Sequence, residues 1–404
     1  MGNQRLNTAV EALRNRHFRW LWIGRLTSSA SFEIGMIARG WLVYELTGSA
    51  LTLGWVSSGW SISTLVFSLY GGVISDRLEK RNIILWARTA MALNTLVIAV
   101  LISVGAIRIW HLMASSLLAG AFFSLMMPAE QAIVVELVGR GTLLNAMALN
   151  SIGMGLTGIL AASAAGFLIE FVGVGGVYYL TLVLYLVTIF AMTNLPRMGT
   201  HARTASSAWS TLREGIRYTA HHRVLLLLLG LALTRVLFAM PYRTFMPKFA
   251  KEVMGLDAGG LGLLMAASGT GSLISSLTVA SLGDFRGKGR LLLIAGVIAG
   301  VSLVLFANTH HLLPVLLLLA LMGAAGNICM MTNNTLLQVN ATDQFRGRVM
   351  SVYMMMWGLT PLGTLPAGAI ADRMGVPFIV ALQGGALALI FLGMLLWTKV
   401  RTLE

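Results

Sequence analysis

Twelve long apolar runs, separated by short polar or basic connections, leave this chain few folds to choose from. With ragged ends they cover 19–46, 52–75, 83–104, 110–137, 144–170, 176–195, 224–249, 259–282, 291–308, 312–338, 348–371 and 376–398. A helix crosses a bilayer core of about 30 Å with about 20 apolar residues. Longer runs tilt or end in the interface. No water inside the bilayer serves the backbone, so a run that is apolar on every side is a helix; a barrel strand would alternate. Charged residues make up 11% of the chain, against about 25% in soluble domains. That deficit excludes an ordinary soluble enzyme, a disordered chain and a coiled coil. The expected fold class is all-α, a polytopic membrane protein with twelve transmembrane helices in two six-helix bundles. Residues 1–19 are polar and basic, lack a convincing small-residue cleavage site and lead into many further spans. The first run therefore reads as an uncleaved helix, not a signal peptide.

The net charge of +14 suggests nucleic acid until the charges are placed. They sit between the apolar runs, not along one soluble face, so the partner expected is the lipid bilayer and not a nucleic acid. On the side of the N-terminus the connections collect 21 Lys and Arg, Arg88 among them. The other side collects four, namely Arg108, Lys248, Lys251 and Arg373. Four more, Arg25, Arg39, Arg235 and Arg243, fall inside spans. Cytoplasmic loops carry the Lys/Arg excess, so both termini are expected in the cytoplasm, with the protein in the cell (inner) membrane. The single cysteine, Cys329, lies in an apolar run, and no cluster of residues has metal-ligand spacing. No metal or cofactor is expected.

The halves repeat one another. Leu53-Gly54 recurs as Leu261-Gly262, Asp76 as Asp284, Met126-Met127 as Met330-Met331, and Gly155-Leu156-Thr157 as Gly358-Leu359-Thr360. The offset drifts slowly from 208 to 203 residues, as differing loop lengths would make it. Spans one to six match spans seven to twelve and start on the same side, a parallel duplication about an axis along the membrane normal. The domains expected are 1–195 and 224–404. The polar stretch 196–223 joins them, and Trp209, Leu212, Ile216, Arg213 and Arg217 give it a short amphipathic helix at the cytoplasmic surface.

Between spans two and three stands Gly72-x-x-x-Asp76-Arg77-x-x-Lys80-Arg81. Its glycines permit close helix approach, its acid faces a positive helix end, and its cations meet the cytoplasmic surface. This loop resembles the signature of the major facilitator superfamily. A degenerate second copy is Gly283-Asp284-Phe285-Arg286-Gly287-Lys288. The stretches Trp41–Ser49, Arg213–Tyr218, Pro241–Lys251 and Arg346–Ser351 are similar to a bacterial branch that includes the enterobactin exporter and macrolide efflux proteins. The resemblance covers nearly the whole chain. It implies alternating access about a central site, with a monomer moving a small-molecule substrate against protons. It also implies a cytoplasmic gating loop made of Gly72, Asp76, Arg77, Lys80, Arg81 and, in the second half, Asp284. In the family the loop acid faces the start of span eleven, here Arg346–Ser351. The chain departs from many drug/proton antiporters at two points. Ala161-Ala162 stands where they carry Gly-Pro in span five, and Glu130 lies where relatives often have Arg.

Ionisable groups inside spans are costly and usually functional. Glu33 lies ~21 Å into span one and Arg235 ~18 Å into span seven, so they sit at similar depth. Glu130 lies ~12 Å from the cytoplasmic end of span four and Arg25 ~9 Å into span one, within reach of each other. These four are the candidates for proton coupling. Arg25–Glu130 reads equally as a structural ion pair, and Glu33 equally as a vestibule residue. Arg39 and Arg243 lie toward the outer leaflet, where long side chains snorkel. The candidates for the substrate cavity are Asn327, Asn333, Asn334 and Gln338 in span ten, with Tyr353 and Trp357 in span eleven. Helix–helix hydrogen bonding is the competing reading of the amides.

The function expected is secondary active export of an amphipathic small molecule, a drug or a siderophore, driven by the proton gradient. An uptake carrier or a lipid flippase would share the fold. A polytopic membrane enzyme is disfavoured: no His-Glu-x-x-His, paired-Asp or Ser-His set lies in a span, and no P-loop occurs anywhere.

Overall fold

The structure is a computed structural model and describes residues 11–196, 208–282, 285–397 and 399–403. Span one is Arg16–Thr47, span two Ala50–Arg77 and span three Lys80–Ser103. Spans four, five and six run through one helical stretch, Ile109–Thr193. A linker helix, Ala208–His221, precedes span seven, which comprises Arg223–Phe238, Pro241–Lys248 and a π-turn over Phe249–Val253. Span eight is Ala258–Leu282, span nine Lys288–Ala307 and span ten Leu312–Asn340. Span eleven comprises Asp343–Met355, a 3₁₀ turn at Met356–Leu359, and Thr360–Met374; span twelve is Val376–Trp397. Among the described residues no strand occurs.

Among the described residues, nine segments are long and apolar enough to cross a membrane by length and composition alone. The other three spans have physical explanations. Asn145–Thr193 is one such segment of 49 residues, ~73 Å of helix at 1.5 Å per residue, more than twice a bilayer core. It reverses at Gly173, whose φ of 70° is open to glycine and closed to most side chains, and so supplies spans five and six. Span one carries Arg16, Arg19, Arg25, Glu33, Arg39 and Glu45, which lower its hydropathy. Span eleven opens on Asp343, Arg346 and Arg348 and is broken by its 3₁₀ turn. Twelve spans result.

Proline shapes two of these helices. Pro361 has no N–H for the carbonyl of Trp357, and the Thr360 hydroxyl donates to that oxygen instead, at 2.6 Å. Pro241 likewise leaves the Leu237 carbonyl without its helical donor, and Gln383 Nε2 of span twelve donates to it at 3.3 Å. Both breaks fall beside the cavity described below.

The chain packs into two compact units, 1–39 with 66–208 and 40–65 with 209–404. In the first unit Phe18, Leu21, Ile84, Met126, Ile133 and Met192 form a buried cluster. The Thr27 and Thr188 hydroxyls bond at 2.8 Å, joining spans one and six. In the second unit spans eight and ten approach very closely. A Cβ on Gly271 would meet the Ala320 carbonyl at 1.8 Å, and one on Gly323 the Ser268 carbonyl at 1.9 Å. Such glycine contacts replace hydrophobic drive between helices that lipid already solvates. The second unit also takes in the end of span one and the first half of span two: Gly54 packs on Thr364, and Gly368 on Ala50 and Leu51.

Candidate functional site

The second unit holds a cavity of about 200 Å³ whose lining includes Arg235, Tyr242, Arg243, Asn327 and Trp357, with Leu303, Met322 and Phe391 as apolar wall. Arg235 stands in the last turn of Arg223–Phe238 and donates from Nη1 to the Gly326 carbonyl at 2.6 Å. Among the described residues, no carboxylate lines this cavity. Arg243, expected to snorkel outward, lines it instead, because the helix restarts at Pro241.

Of the polar side chains expected in a cavity, Asn327 and Trp357 are in the lining. Asn327 Nδ2 also links spans ten and eight. It lies 3.1 Å from the Ser272 carbonyl, 3.0 Å from Ser275 Oγ and 2.8 Å from Ser276 Oγ. Asn334 and Gln338 bond each other farther along span ten, Asn333 is buried, and Tyr353 is buried in span eleven.

In the first unit the charges are arranged differently. Glu130 is paired, but with Arg88 of span three at 2.6 Å, and not with Arg25 as expected. The side chains of the pair are only 6% and 12% exposed. Arg88 belongs to the membrane interior and not to the cytoplasmic tally, because Lys80–Ser103 is helical from its first residue and carries Arg88 two turns inward. Arg25 lies 3.9 Å from Met154 Sδ. Arg39, also expected to snorkel, donates to Ser116 Oγ of span four at 3.1 Å. Glu33 is half-buried in span one, in the first unit, while Arg235 belongs to the second.

Of the expected gating loop, the side chains of Gly72, Asp76 and Arg77 lie outside the described residues, as does Asp284. Lys80 pairs with Glu136, and Arg81 donates to the Thr193 carbonyl at 2.6 Å, fastening span three to spans four and six. At the start of span eleven Arg346 pairs with Asp343 and Arg348 with Glu214 of the linker helix, each at 2.8 Å. Tyr218 stacks on Phe345 at 4.2 Å, and a Cβ on Gly215 would come within 2.9 Å of the Arg348 carbonyl. Two stretches that stood out in the sequence, Arg213–Tyr218 and Arg346–Ser351, thus form one joint.

A clasp at the opposite end of the second unit escaped the sequence reading. Asp372 accepts from Ser49 Oγ at 2.6 Å, from the backbone N–H of Ala50 at 2.7 Å and of Leu51 at 3.0 Å, and from Lys248 Nζ at 3.0 Å. Lys248 also donates to the Gly48 carbonyl at 2.7 Å. An acid on the first amides of a helix is a favourable cap, here supplied from span eleven to span two. Asp372 lies just past the apolar run of its span. A signal was present in the sequence: Gly368-x-x-x-Asp372-Arg373 repeats Gly72-x-x-x-Asp76-Arg77.

A family model described as transmembrane secretion effector matches residues 7–404. The chain belongs to this family. Its members are transporters of the major facilitator superfamily, not enzymes. The chain is similar to the staphyloferrin A transporter of Staphylococcus aureus, at 23% identity over 87% of this chain and 88% of that one. It is similar to the multidrug efflux pump Tap of Mycolicibacterium fortuitum, at 26% identity over 87% and 88%. It is also similar to the enterobactin exporter EntS of Salmonella typhi, at 24% identity over 93% and 92%. Two solved structures share the fold. They are the nucleoside transporter NupG, with a TM-score of 0.78 at 14% identity over 95% of this chain and all of that one, and a D-xylose–proton symporter, with 0.74 at 13% over 97% and 99%. A transmembrane secretion effector of this superfamily moves small molecules.

Proposed function

We propose that the protein is a proton-driven exporter of an amphipathic small molecule in the bacterial inner membrane. The observation that carries this reading is the cavity around Arg235, where a guanidinium, an amide and an indole meet an apolar wall inside the membrane. Mixed linings of this kind take ligands with one polar and one apolar end. Relatives named as an exporter and an efflux pump support the outward direction. Glu33 is the candidate for the proton-carrying acid, since an ionisable group in a span is functional by default. The charge tally supports cytoplasmic termini. With Arg88 moved into the membrane, 20 cations remain on their side against four.

The test is substrate-dependent proton movement in everted vesicles with an acidic lumen. Enterobactin or ethidium added outside should alkalinise the lumen as it accumulates there, and Glu33→Gln should abolish the pH response. Accumulation only in right-side-out vesicles would make the protein an uptake carrier. Accumulation unchanged by collapse of the gradient would remove the proton coupling. Sidedness is read separately. Cys329 is buried, so a cysteine introduced at His222 reports cleanly, and it should react with an impermeant maleimide only after permeabilisation.

A further inference from the structure

We propose that the cavity of the second unit selects anions and takes one acidic arm of the substrate, a carboxylate or a comparably acidic group, on Arg235. This rests on the reading of that cavity as a substrate site and adds the chemical class of the ligand. Three observations carry it. The first is the charge of the lining: Arg235 and Arg243 both contribute, and among the described residues no acid does. The second is what Arg235 already holds. A guanidinium has five N–H donors in a rigid fork, and Arg235 donates here to a neutral group, the Gly326 carbonyl at 2.6 Å. That bond orients the fork, and among the described residues no acid of the cavity lining faces it. The side chain at 326 is missing altogether, and a Cβ there would stand 3.9 Å from Nη1, so span ten leaves room beside the fork. The third is size. Drug-sized ligands fill about 300–1,000 Å³, and this cavity holds about 200 Å³. It accommodates one arm of a larger molecule, with the arm's ring or chain against Leu303 and Phe391. A planar fork facing a planar acid gives paired, directional hydrogen bonds, which an amide or a cation of equal size cannot replace.

The experiment uses the purified full chain in nanodiscs and three probes of one shape and three charges: benzoate, benzamide and benzamidinium. Benzoate is expected to bind at least about tenfold more tightly than benzamide, with no measurable binding of benzamidinium. Arg235→Gln is expected to erase the preference while the melting temperature stays within a few degrees of the wild type. If Arg235→Gln does not fold, the wild-type protein still decides the question. Phenylglyoxal labelling of Arg235, read by mass spectrometry, should be slowed by benzoate and not by benzamide. Equal binding of the three probes, a preference that survives Arg235→Gln, or labelling indifferent to benzoate would each overturn the proposal. The transport reading fails on other grounds. A charge-selective cavity in a protein that moves no amphiphile across vesicles would leave this inference standing and remove that one.

Discussion

Arg88 and Arg235 are both arginines set well inside apolar helices, and the protein handles them in opposite ways. Arg88, in the first unit, is buried against Glu130 at 2.6 Å. Arg235, in the second, is half-buried, meets a backbone carbonyl, and lines open space. A buried ion pair rarely adds net stability, but removing one partner is expensive, because the other is left charged in a poor solvent. An arginine beside a cavity avoids that penalty, since water or a ligand serves its free N–H groups. The first arrangement closes a charge off and the second keeps one on offer. The second unit presents Arg235 to a cavity, whereas Arg88 of the first is closed against an acid.

The largest effect expected is on the closed pair. Glu130→Gln should cost about 3–5 kcal/mol, seen as lost expression and a lowered melting temperature, with Arg88→Met added on top restoring part of it. If Glu130→Gln melts normally and loses only its response to the pH gradient, the pair is a coupling device and the contrast breaks down. A smaller effect should follow from converting the second arrangement into the first. Met330→Glu places an acid in the lining, and benzoate affinity should fall about tenfold, roughly 1.4 kcal/mol, with melting unchanged or raised. Undiminished affinity would show that Arg235 is not the anchor. The smallest effect belongs to Arg235→Lys, which keeps the charge and loses the fork. Benzoate affinity should drop about threefold, and a drop as large as that of Arg235→Gln would place geometry above charge.

The fold was legible because the bilayer writes it directly into runs of apolar residues; the compact units were not, since 40–65 packs with 209–404 and no motif marks that exchange. Arg88 was misplaced for a local reason. It follows Lys80 and Arg81 closely in sequence and was counted with them although it falls inside the apolar run 83–104; the helix starting at Lys80 carries it about 10 Å inward. The partner of Glu130 is therefore a residue that charge counting had assigned to a loop. Asn327 was found by composition, since amides in lipid need partners, but its bonds to span eight could not be foreseen from span ten alone. Arg243 needed the break at Pro241 to turn inward. Asp372 was hidden by distance along the chain: Ser49, Ala50 and Leu51 lie more than 300 residues away and Lys248 more than 100, so the repeated Gly-x-x-x-Asp-Arg pattern marked the acid but not its partners.

The clasp on Asp372 has a mechanical consequence. Four donors converge on one three-atom carboxylate: a hydroxyl, two successive backbone amides and an ammonium. Hydrogen bonds hold their heavy atoms about 2.7–3.2 Å apart. Because the donors share a single acceptor group, withdrawing span eleven by about 1 Å stretches all of them in the same step. The contact behaves as a catch and not as a spring. A displacement of span eleven therefore touches the first amides of span two and the Lys248 ammonium at once.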